Sequence, residues 1–170
     1  MKKHRLIFLM LLVSVALCLT SCKAVTADYF SSLNGLWDYH ATVEYDGVCY
    51  TARITSSCVD GSAERTATLA LTSPDELNGM SLTVEKGVYT LRLDGVDGVG
   101  VELDATAEMS PLVRALELMS PSAVIGATLG GEYNEIVTEE ATYYTDKNGD
   151  LREIYSDGLR VKLSRAEKNE

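Results

Sequence analysis

The chain has 170 residues, with 15 Lys and Arg against 25 Asp and Glu, a formal net charge of −10 at neutral pH. This length suits one domain with its own core. The charge makes nucleic acid and anionic lipid headgroups poor electrostatic partners.

The first element is a leader. Lys2, Lys3 and Arg5 precede an apolar run from Leu6 to Leu19 that only Ser14 interrupts, which is the layout of a secretory signal peptide. Fourteen residues fall short of the roughly 20 that a membrane-spanning helix needs, and a core helix would carry a polar face that this run lacks. Leu19, Thr20, Ser21 and Cys22 follow: an apolar residue, two small ones and a cysteine. This stretch resembles the lipobox of bacterial lipoproteins. The resemblance implies cleavage between Ser21 and Cys22, lipidation of the Cys22 thiol with diacylglycerol, and commonly an acyl chain such as palmitate on the new amino terminus. Cys18 follows the bulky Leu17 and does not compete. Two or three acyl chains on one residue hold a protein stably on a membrane, where a single chain is marginal. The expected location is therefore the cell membrane or outer membrane, lipid-anchored and exposed outside the cytoplasm. The alternative is ordinary signal cleavage that leaves Cys22 a thiol.

Residues 1–21 are then the signal peptide, 22–35 the lipidated cysteine and a tether, and 36–170 a single β-rich domain. Removing the leader takes three basic and no acidic residues, leaving 12 against 25, a formal charge of −13. Of four cysteines, Cys49 and Cys58 remain for the domain. An even pair in an oxidising compartment predicts a disulfide, against the alternative of two free thiols.

Trp37, Tyr39, Ala41, Val43 and Tyr45 alternate with Asp38, His40, Thr42 and Glu44, the pattern of a half-buried strand. Asp46-Gly47 supplies a two-residue turn. It predicts the pairs Tyr45 with Val48, Val43 with Tyr50 and Ala41 with Ala52, with Ile54 continuing the apolar face. Asn-Gly or Asp-Gly recurs at Asn34, Asp46, Asp60, Asn78, Asp94, Asp97, Asn148 and Asp157, which argues for many short antiparallel strands. Further strands are expected over Ala63–Thr72, Met80–Val84, Val88–Leu93, Val99–Leu103, Tyr133–Thr145, Leu151–Tyr155 and Leu159–Leu163. Between them, Ser110-Pro111 and Ser120-Pro121 each pair an N-cap with proline at the first helical position. They predict two short helices ending at Gly130-Gly131.

No catalytic signature emerges. His40, flanked by Asp38 and facing Arg53, has outward parity and no second histidine in the domain, so it is expected to be a solvated surface group. Asp146 to Asp150, "DKNGD", begins like a calcium loop but has Leu151 where glycine and Asp157 where glutamate are required; Asn148-Gly149 is better taken as a turn. No metal and no cofactor are expected. Tyr39, Val43, Tyr45, Tyr50 and Ile54 share the apolar face, and Leu112 and Leu116 share a helix face. Together they either line an amphipathic pocket for an apolar ligand or form solid core.

A lipobox, hairpin strands, a helical interruption, the stretch "SPDELNGMSLTVEKGVYTLRLDG" and the closing "ATYYTDKNGDLREIYSDGLRVKL" together resemble the LolA/LolB-like and mycobacterial LppX-like superfamily of lipid-handling envelope proteins. That resemblance implies an α+β fold, mostly antiparallel, as a curved sheet or half-barrel with a short helical lid. It also implies a non-catalytic protein whose partners are the membrane, through its anchor, and a lipid or other apolar small molecule. No nucleic acid is expected. The alternative is a structural or protein-interaction module of the envelope with a solid core.

Overall fold

The computed structural model describes residues 29–33, 36–58, 65–93, 100–103 and 110–166. Cys22 and the leader lie outside them. The strands are β1 (Asp38–Tyr45), β2 (Val48–Cys58), β3 (Arg65–Ser73), β4 (Met80–Glu85), β5 (Val88–Leu93), β6 (Gly100–Leu103), β7 (Val124–Thr128), β8 (Asn134–Thr138), β9 (Thr142–Thr145), β10 (Leu151–Ser156) and β11 (Leu159–Arg165). Among the described residues, helix α1 (Pro111–Glu117) lies between β6 and β7.

All the strands join one antiparallel sheet in the order β6-β5-β4-β3-β2-β1-β11-β10-β9-β8-β7. The first and last strands meet at its centre, and β6 and β7 are its two edges. The sheet is not closed into a barrel. The chain between those edges carries α1, which packs on β1, β3, β4 and β11.

The sheet curves around the helix. Strands β5 and β9 stand seven inter-strand spacings apart, about 33 Å on a flat sheet. Yet Tyr89 of β5 donates a hydrogen bond to Glu117, and Tyr143 of β9 donates to the carbonyl of the next residue, Leu118, at 3.1 Å. Only a bent sheet brings both strands within side-chain reach of adjacent residues.

Turn chemistry makes the hairpins. Asp46-Gly47 and Asp157-Gly158 have φ of 47° and 78°, and of 41° and 79°, the left-handed pairs that match the twist of two-residue hairpins. The β1–β2 register is the expected one: Tyr45 with Val48, Val43 with Tyr50, Ala41 with Ala52. At Asn148-Gly149 the loop closes on itself, because the Asp146 carboxylate accepts from the backbone N–H groups of Asn148 at 2.8 Å and Asp150 at 3.0 Å. Its other oxygen pairs with Arg152 at 2.6 Å. Burial pushes the Asp146 carboxyl up, but these donors outweigh it and hold the group below its usual range.

Three expectations need correction. The second helix is absent: Ser120 to Ala123 is non-helical and Val124–Thr128 is strand β7, paired with β8. The cross-strand ladder supplies backbone partners that one helical turn could not. The run Tyr133–Thr145 is two strands, β8 and β9, with Glu139 and Glu140 in the turn between them. The Thr138 hydroxyl closes that turn by accepting from the Ala141 N–H at 3.1 Å. Finally, Cys49 is a free, exposed thiol. It lies at the second position of β2, and Cys58 is the last residue of the same strand. Nine residues of extended chain separate their backbones by about 30 Å, far beyond the reach of a disulfide.

Candidate functional site

The register of β1 to β5 lays the inner face out in cross-strand rows. Tyr39, Ile54, Leu69, Leu82 and Leu91 form one row; its first three members are fully buried. Val113, Ala115 and Leu116 of α1, followed by Leu118 and Met119, contribute the opposing buried surface. This part of the molecule is solid core.

One row toward the start of β1 the packing is incomplete. Trp37 exchanges two hydrogen bonds with Ser56, backbone N–H to hydroxyl and Ser56 N–H to carbonyl, both at 2.9 Å. Ser56 stands opposite Ala67, Ala67 opposite Val84, and Val84 opposite Tyr89. Against this floor α1 sets Leu116, with Met119 just beyond it, and leaves a crevice of about 470 Å³ open to solvent. Arg114, Glu117 and Glu140 stand at its mouth. Its size falls in the ~300–1,000 Å³ range of small-molecule sites; Lys86 and Ser120 line it too, and its lining is more polar than apolar.

Polar contacts tie the mouth, two of them between different elements and one within α1. Tyr89 bonds Glu117 across the crevice. Burial, and then that carboxylate, push the Tyr89 phenol up to about 12. Arg114 approaches Glu117 at 3.6 Å and Glu140 at 3.9 Å. Tyr143, also raised to about 12 chiefly by burial, packs edge-on against Phe30 at 5.2 Å between centroids.

The sequence candidates divide. Tyr39, Val43, Ile54 and Leu116 are buried; of these only Leu116 reaches the crevice. Leu112 is half-buried against the core. Tyr50 is half-buried, and Tyr45, at the hairpin tip, is 42% exposed. Tyr45 lines a different, open cleft of about 630 Å³ between the β1–β2 and β10–β11 turns, with Cys49, Tyr155 and Arg160. The Tyr39 and Ser32 hydroxyls are both buried without a hydrogen-bond partner of normal geometry. Burial raises the Tyr39 phenol, and nearby Ser32 partly offsets that.

The floor residues Ala67, Val84 and Tyr89 and the mouth residues Arg114 and Glu117 were not among those candidates. Tyr89 carried a signal, as the lone aromatic on the parity of Leu91 and Leu93. Ala67 carried none, since its role is to leave space. His40 is exposed and stands opposite Arg53 as expected. Its neighbour Asp38 is held by Arg53 in a two-bond pair at 2.9 and 2.6 Å, which keeps the Asp38 carboxyl below its usual range.

No family model matches the chain, and no curated protein matches it. Among solved structures, a DUF1329 family protein from Desulfovibrio piger is similar with a TM-score of 0.45 at 9% identity, over 86% of this chain and 94% of that one. A LolA superfamily protein from Nitrosomonas europaea is similar with a TM-score of 0.37 at 9% identity, over 78% of this chain and 83% of that one. Both are distant likenesses of fold.

Proposed function

We propose that this chain is a lipid-anchored protein of the cell envelope that holds an apolar or amphipathic small molecule, such as a lipid, in the crevice beside α1, and that it performs no catalysis. The crevice carries the ligand reading: Trp37, Ala67, Val84 and Tyr89 border an opening to solvent, while Tyr39, Ile54 and Leu69 in the adjacent row are fully buried. The ligand's apolar part would lie along Trp37, Ala67, Val84 and Met119, and its polar end would meet Arg114, Glu117 and Tyr89. The anchor rests on the leader and on the Leu19-Thr20-Ser21-Cys22 stretch. No catalytic role is assigned, because His40 is solvated and Asp38 is committed to Arg53.

The rival reading, an envelope module that binds no small molecule, draws on the solid row of Tyr39, Ile54 and Leu69. Uptake of an apolar fluorescent probe by residues 23–170, which carry neither the apolar leader nor an acyl chain to compete, separates the two. The expected result is saturable uptake that Ala67→Trp abolishes while cooperative unfolding is kept. A wild-type fold that takes up no probe, and carries no co-purified lipid in native mass spectrometry, would establish the rival.

A further inference from the structure

Strand β7 ends the sheet in an unusual way for an acidic protein. From Leu118 to Gly131 the chain has no charged residue. Among the described residues β7 pairs only with β8, and its other edge makes no hydrogen bond. Such an edge presents unpaired N–H and C=O groups to any strand that approaches, and proteins that must remain single guard it with charge or proline. The opposite edge fits that rule, since β6 carries Glu102 and is bracketed in sequence by Asp97 and Asp104. The β7 edge has only a bulge between Val124 and Gly126. Beside it lie Ile125, 64% exposed, Leu129, 55%, and Tyr133, 46%.

We propose that β7 is a dimerisation edge, at which two copies of this chain pair antiparallel about a two-fold axis and continue one sheet into the other. The occupant follows from charge. With a net charge of −10 on the whole chain, two copies repel over most of their surface and can approach closely only along a strip that carries none. A partner selected by charge would be basic and would gain nothing from an uncharged edge. Antiparallel pairing centred on Gly126 sets Ile125 of one copy beside Ala127 of the other, with no like charges opposed. The proposal is independent of any ligand in the crevice.

Sedimentation equilibrium of the processed full-length protein, in density-matched detergent with reductant to exclude bridging through Cys49, tests it. The expected result is a reversible dimer. Ile125→Lys, at an exposed position, should weaken it by roughly tenfold or more by placing two like charges on diagonal neighbouring positions of one face, and Val101→Lys on the other edge should leave it unchanged. Mixing Ile125→Lys with Ile125→Glu protein should restore association as a heterodimer. A wild type that remains monomeric up to hundreds of micromolar, or a dimer indifferent to Ile125→Lys, would overturn the proposal.

Discussion

The Tyr143 hydroxyl donates to the Leu118 carbonyl oxygen at 3.1 Å, so that strand β9 holds the residue that caps helix α1. The cap is a backbone acceptor with no intrahelical donor, buried together with the phenol that satisfies it. Removing that phenol leaves the carbonyl without its partner in a dry environment. Tyr143→Phe should therefore cost about 1–2 kcal/mol, read as a lower thermal midpoint with two-state unfolding retained. An unchanged midpoint would mean that the bond does not hold the helix to the sheet.

Alkaline pH tests the same contacts. The phenols of Tyr89 and Tyr143 are raised to about 12 in the folded chain, against about 10 unfolded. A group bound to its proton more tightly in the folded state adds stability below its unfolded value and loses it as pH climbs through the folded one. Stability should accordingly fall between pH 10 and 12. The fall should be shallower in a Tyr89→Phe, Tyr143→Phe double variant, as measured by urea midpoints across that range. Equal slopes in the two proteins would show that neither phenol is held protonated by the fold.

The free Cys49 thiol should react with a maleimide in the native protein. No Cys49–Cys58 linked peptide should appear when unreduced protein is digested. Cys49→Ser, at an exposed site, should change stability by no more than about 0.5 kcal/mol. Loss of several kcal/mol would instead indicate a bridge.

Cys22→Ala should leave the protein unprocessed or release it from membranes. Fractionation with lipid labelling decides, and a fully processed variant retained on membranes would refute the acyl anchor.

What the sequence by itself determined is local. Asp46-Gly47, with alternating side chains on either side, was enough to set the pairing of Tyr45 with Val48 and Ala41 with Ala52, because turn geometry and a two-residue period involve only neighbours in the chain. The helix start at Ser110-Pro111 was legible for the same reason. Ser120-Pro121 carried an equal helix signal and failed, since the following Val124–Thr128 found a ladder on β8, a partner that no local pattern reveals. Cys49 and Cys58 were paired from the even cysteine count, with no local signal for how far the second strand runs. Once pairing with β3 carries β2 on to Cys58, the two residues belong to opposite ends of one strand. Tyr39 and Tyr45 share a strand and a face, and only one is buried. The tertiary structure decided that difference, and with it the crevice at Ala67, because the curved sheet meets α1 over some rows and not others, and that placement depends on contacts between residues far apart in the chain.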